Sequence, residues 1–258
     1  MRLMKRILSA AAVLALSASL LVGCSSGTAS SVPVSASSAA ESTVSSVEET
    51  ASSAVDENAA AAAQLLNDLT GSYQELWPVI LADEYKQTWL DDCTALVGEE
   101  NAEAAFEKLS SMVTSDVYGE DAVEAYANGG GAYFCGFTNS LATLTFDGET
   151  STISGTDKDG NVLFSHTYHY IGMEPVHGLY EFESDDADSG EFTYFFLAPD
   201  TSAETYHIEF RYGSDADALS QYDAGDYAYW VASGISTDCD QTMIDNCIEL
   251  FCTENLAG

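Results

Sequence analysis

LATLTFDGETSTISGTDKDGNVLFSHTYHYI, residues 141–171, decides the fold. Its side chains change character at a period of two, and Asp147-Gly148 and Asp159-Gly160 stand at tight-turn positions between the alternating runs. A period of two with two-residue turn chemistry is the pattern of antiparallel hairpins. The stretch divides into strands Leu141–Phe146, Thr150–Thr156 and Val162–Ile171. The same alternation continues in Gly178–Glu183, Phe192–Ala198 and Thr205–Tyr212. Asp157-Lys158-Asp159-Gly160 is similar to part of a calcium loop, but Gly155 and His166 would then occupy its first and last ligand positions, so the segment reads as a turn.

Outward from the meander the period becomes helical. Ala59–Asp68 is an Ala/Leu helix, and Glu100–Val113 spaces Ala102, Ala105, Phe106, Leu109 and Met112 by three and four. Glu120–Ala127 is a shorter helix, stopped by Asn128 and Gly129-Gly130-Gly131. No Lys-Ser/Thr follows those glycines, so they reverse the chain and do not cradle phosphate. Thr70–Ile80 carries Tyr73, Leu76, Trp77 and Val79 ahead of an acidic loop, and the chain is polar and aromatic from Tyr222 to Trp230. Gln241–Leu256 closes the domain as a helix with Met243, Ile244, Ile248 and Phe251 inward. Hairpin-linked strands between helices predict a mainly β fold with flanking helices, an antiparallel β-barrel or strongly curved sheet, because closure removes exposed edges.

Three basic residues, Arg2, Lys5 and Arg6, precede an apolar run that ends in Leu21-Val22-Gly23-Cys24. This reads as a lipoprotein signal peptide over 1–23, with Cys24 the site of lipid attachment. Residues 24–58 form a Ser/Ala-rich tether without aromatic residues, unable to bury enough surface to order itself and reaching on the order of 30 Å. Residues 59–258 are the globular domain, expected on the extracytoplasmic face of the cell membrane.

The chain has 42 acidic and 7 basic residues and a formal net charge of −35. Outside the signal only Lys86, Lys108, Lys158 and Arg211 are basic, a balance that repels phosphate backbones and excludes nucleic acid as a partner. Cys93, Cys135, Cys239, Cys247 and Cys252 leave room for up to two disulfides whose pairing the spacing does not reveal. A thiolate zinc site is disfavoured, since Cys247 and Cys252 diverge by about 140° around one helix. No G-x-S-x-G, H-E-x-x-H or Walker motif is present, so the chain is read as a binding protein and not an enzyme.

Along Thr205–Tyr212, alternation places Thr205, His207, Glu209 and Arg211 on one face. An imidazole beside a carboxylate suits zinc, and His169, on the polar face of its own strand, is the candidate third donor. The competing reading is a polar strand face with Glu209 paired to Arg211. His166 is expected in the core, His177 exposed at a strand edge, and Asp185, Asp186 and Asp188 in a solvated loop.

Phe195-Phe196-Leu197-Ala198-Pro199, Tyr206-His207-Ile208-Glu209-Phe210, Gly213-Ser214-Asp215 and Tyr227-Ala228-Tyr229-Trp230 resemble the C-terminal half of the ZinT (YodA) family. Leu69-Thr70-Gly71-Ser72-Tyr73-Gln74-Glu75-Leu76-Trp77-Pro78 is similar to its first element, so the resemblance spans roughly residues 65–256. It implies a lipocalin-related, calycin-like barrel that binds zinc. The family's ligand positions fall on Phe195, Thr205 and His207, of which only His207 keeps a ligand, and the family's histidine-rich loop is absent. Two functions are therefore open: binding of zinc or a related divalent cation, or a metal-free barrel that binds a small apolar ligand or a partner protein. The metal transporter that a zinc carrier would supply is not identified by the sequence.

Overall fold

The computed structural model describes residues 57–199 and 207–257. The signal, Cys24, the tether up to residue 56 and Thr205 lie outside the described residues. A helix, α1, covers residues 57–68. Eight strands follow: β1 Gly71–Glu75, β2 Thr143–Asp147, β3 Thr152–Thr156, β4 Val162–Met173, β5 Tyr180–Ser184, β6 Tyr194–Leu197, β7 His207–Gly213 and β8 Ala232–Ser236. Each pairs antiparallel with the next, and β1 pairs with β8 through Tyr73 opposite Ser236. The result is a closed, eight-stranded antiparallel barrel with flanking helices, as the alternating pattern predicts.

Six of the strands coincide with the alternating segments, and both turns form as read. Asp147 Oδ1 accepts the N–H of Glu149, and Asp157 Oδ1 accepts those of Asp159 and Asn161. Short Asp side chains do this well because they reach their own backbone two residues on. Strands β1 and β8 are additional to the sequence reading. β1 has five residues and passes directly into a helix at Leu76, while β8, Ala-Ser-Gly-Ile-Ser, holds one large apolar side chain. Neither carries an alternation long enough to recognise.

The barrel interior is solid. Tyr73, Leu144, Phe146, Ile153, Phe164, Tyr168, Phe182, Phe195, Phe210 and Tyr212 fill it, joined by Ala62, Leu65, Leu66 and Leu69 from α1 and its exit. Gly155 is needed where the rings crowd, since a Cβ there would stand 2.4 Å from both Leu141 and Phe164.

A second core lies outside the wall. It joins α2 Leu76–Ile80, α3 Lys86–Val97, α4 Ala102–Ser111 and α7 Gln241–Leu256, with Trp89 fully buried at its centre. The acidic loop after Ile80 is thus mostly helix α3, buried through Trp89 and Cys93. α5 Glu120–Ala127 ends at Asn128 with Gly129 at φ +78°, as the Asn-Gly pair predicts. α6 is the single turn Ala216–Leu219, and Asp240 caps α7 by accepting the Met243 N–H. Among the described residues no helix is long and apolar enough to cross a membrane.

Candidate functional site

Strand β7 shows what the helical layer does to the wall. Ile208, Phe210 and Tyr212 belong to the barrel core, and the alternate residues His207, Glu209 and Arg211 point out of it. An outer barrel face ordinarily meets water, which is why polar residues suit it. Here α2 and α7 cover it, so His207 and Glu209 line a crevice with Leu76, Trp77, Cys247 and Phe251. His207 is 7% exposed, and burial pushes its imidazole down to about 4, so the ring is neutral at physiological pH.

Arg211 is fully buried. Its guanidinium donates to the carbonyl oxygens of Leu219, Gln221 and Tyr227 and lies 4.2 Å from the centre of the Tyr222 ring. It therefore pins the segment from Leu219 to Tyr227 against the barrel, a role that composition did not suggest.

A cavity of about 70 Å³ opens beside this layer, lined by Trp77, Tyr133, Cys135, His177, Glu209 and Tyr222, with Leu179, Val231 and Phe251 among its apolar walls. A larger hollow of about 320 Å³ shares Trp77, Val113 and Cys135 with it. Four buried side-chain polar atoms among the described residues make no hydrogen bond of full geometry: Trp77 Nε1, which has Cys135 beside it, His177 Nδ1, 3.6 Å from Glu174, and Arg211 Nε and Tyr222 Oη, which neighbour each other. Three of the four residues line the cavity, and the fourth carries the Tyr222 ring. A poorly satisfied buried group costs up to about 1–3 kcal/mol, so three residues that carry one and line the same space mark a place suited to a bound molecule.

His177 departs from the sequence reading. It is not exposed: its side chain is 13% accessible, packed 3.7 Å from the Tyr222 ring and 3.6 Å from Glu174. Glu174 is fully buried, and burial alone would raise its carboxyl. Hydrogen bonds from His177 and Val176 outweigh that effect and hold it below the usual range. Glu174-Pro175-Val176-His177 is a short acid–imidazole turn that the sequence displays, but only the fold shows that it faces inward.

The other histidines sit on β4. His166 is partly buried, its ring 5.9 Å from Phe164, and bonds Asp186 at 2.8 Å. His169 is exposed and bonds Asp185 at 2.7 Å. These two aspartates are therefore engaged by histidine and not merely solvated. His169 is separated from β7 by three strand spacings, roughly 14 Å, so the fold does not bring it to His207 and Glu209. Among the described residues no three His, Cys, Asp or Glu side chains form a metal-binding group.

No protein-family model and no curated protein sequence matches this chain. In fold it is similar to the Zn(II)-bound ZinT-like domain of Streptococcus pneumoniae AdcA, at 14% identity and TM-score 0.45, over 71% of this chain and 89% of that one. It is also similar to Zn(II)-bound AdcA from Streptococcus pneumoniae, at 14% identity and TM-score 0.43, over 71% of this chain and 35% of that one.

Proposed function

We propose that this chain is a binding protein and not an enzyme, lipid-anchored at Cys24 on the extracytoplasmic face, whose barrel domain takes a small, largely apolar molecule between the wall and the helical layer. The observation that carries the reading is the grouping of Trp77, His177 and Tyr222, whose buried polar atoms have only Cys135, Glu174 and Arg211 beside them, around one cavity with mostly apolar walls. Apolar lining with a few convergent polar groups is the usual composition of a small-molecule site. Indole N–H and phenol O–H can donate to a polar end of the ligand, while Phe251, Leu179 and Val231 take its apolar body.

The test is native mass spectrometry of the full chain extracted from its host membrane, followed by identification of what leaves on denaturation. A single bound molecule, lost in Trp77→Ala, supports the reading. A chain that carries nothing and takes up no equivalent of the apolar probe 1-anilinonaphthalene-8-sulfonate removes it.

A specific observation keeps zinc as the second reading: the neutral His207 imidazole shares a face with Glu209. Calorimetric titration with zinc separates the two readings. One-to-one saturation abolished by His207→Ala assigns the metal to this pair, with a transporter as the eventual recipient. Weak uptake at many sites, unchanged by that substitution, reflects only the acidic surface.

A further inference from the structure

Helices α3 and α7 meet along a seam in which two cysteines face each other. Cys93 Sγ and Cys252 Sγ are 3.9 Å apart, both residues are fully buried, and 159 positions separate them in sequence. Trp89, one turn before Cys93, packs against Phe251, with ring centroids 6.0 Å apart, so aromatic packing on the same seam fixes how the helices approach. We propose that Cys93 and Cys252 are the site of a disulfide that fastens α3 to α7.

Van der Waals contact between two sulfurs on adjacent helices leaves about 2 Å to close, within reach of a small χ1 adjustment at each residue. The spacing of five cysteines left the pairing open; tertiary contact selects one pair. In the reaction each thiol gives up its proton and the two sulfurs together give up two electrons. These pass to an incoming disulfide, that of a dithiol oxidoreductase or of oxidised glutathione, which leaves as two thiols. Burial and the Asp92 carboxylate both disfavour the Cys93 thiolate, and burial does the same at Cys252. Exchange is therefore slow once the helices have closed, and the bond forms during folding.

The chemistry rests on the proposed export only for the supply of oxidant, so the test has two arms. In the first, the full chain is reduced, unfolded, refolded in a glutathione redox buffer, trapped with an alkylating agent and digested. The expected product is one peptide pair joined through Cys93 and Cys252, two hydrogen atoms lighter than the separate peptides. Reducing the oxidised chain with dithiothreitol in denaturant and refolding it under reductant should lower its Tm by roughly 5–15 °C, the range for a bond closing a loop of this size. The double variant Cys93→Ser, Cys252→Ser should melt identically with and without reductant. Alkylation of both cysteines after oxidative refolding, or a reductant-sensitive Tm in the double variant, overturns the pairing. In the second arm the chain is trapped directly from cells. A linked pair there supports the proposal in its own compartment; a linked pair in the refolding arm alone upholds the pairing and counts against export.

Discussion

Phe195 and Tyr212 are cross-strand partners inside the barrel, with ring centroids 5.4 Å apart. His207, five residues before Tyr212 on the same strand, points the opposite way, out of the wall and under α2 and α7. Two positions at which the family resemblance implies zinc ligands therefore lie on opposite sides of one sheet. Restoring a histidine at 195 should not rebuild a metal site. Phe195→His should instead destabilise the chain by about 3 kcal/mol, through lost ring packing and a polar atom placed in an apolar core. Urea unfolding and zinc calorimetry on the same variant check this, and zinc binding gained by it would show that the two sides communicate.

Tyr222→Phe removes a buried hydroxyl that makes no hydrogen bond of full geometry, with Arg211 its polar neighbour. The ligand-free chain should be as stable as the parent or up to about 1 kcal/mol more stable, because a poorly satisfied group is deleted. Binding of the cavity ligand should weaken about tenfold. Thermal melts with and without the co-purifying molecule give both numbers, and a loss of stability in the free chain would mean that the hydroxyl is already satisfied within the protein.

Arg211→Met keeps the length of the side chain but abandons the carbonyl oxygens of Leu219, Gln221 and Tyr227. A cost of about 3–5 kcal/mol is expected, with amide exchange accelerating first between residues 219 and 231. Uniform acceleration over all eight strands would count against a local pinning role.

His207 sets a pH signature. Its folded value, about 4, lies below the ordinary imidazole value, so the unfolded chain binds a proton more readily between them. Its contribution to stability is complete above about pH 6.5 and is lost as the pH falls toward 4, on the order of 3 kcal/mol in total. His207→Leu should flatten this part of the stability curve relative to the parent. If zinc coordinates here, the neutral ring also allows binding to persist down to about pH 5. Parallel stability curves for parent and variant would show that the imidazole is not desolvated.

Cys24→Ala should release the chain from the membrane fraction or leave it as an unlipidated precursor, because no other thiol in the lipobox-like segment can take diacylglycerol. Fractionation with intact-mass measurement decides it; a parent chain that sediments with membranes without lipid mass overturns the anchor.

What was legible in the sequence is what repeats locally. Residues 141–171 displayed their strands and turns because Leu144, Phe146, Ile153 and Phe164 recur on one face and Asp147 and Asp157 bond their own backbone. Helix α7 showed its buried face in the same way, though not its Asp240 cap. The closing strands did not, since β1 is short and β8 is built of small side chains. Helix α3 was hidden because its acidic surface outweighs Trp89 and Cys93, the residues that α7 buries. The site was least legible of all. Trp77, His177 and Tyr222 belong to three separate segments, and only the closed barrel brings them to one cavity.

Closure of the barrel also governs when the domain can form. β1 stands at the start of the domain and β8 near its end, yet they are hydrogen-bonded neighbours. A ribosome must release nearly all of the domain before that seam can be sewn, and pairing at such separation is slow, on the order of milliseconds to seconds. Until then the chain has two unpaired edges and no finished wall, and it stays loose enough to be threaded. Delayed completion of this kind would suit the proposed export, in which the polypeptide crosses a membrane before it folds.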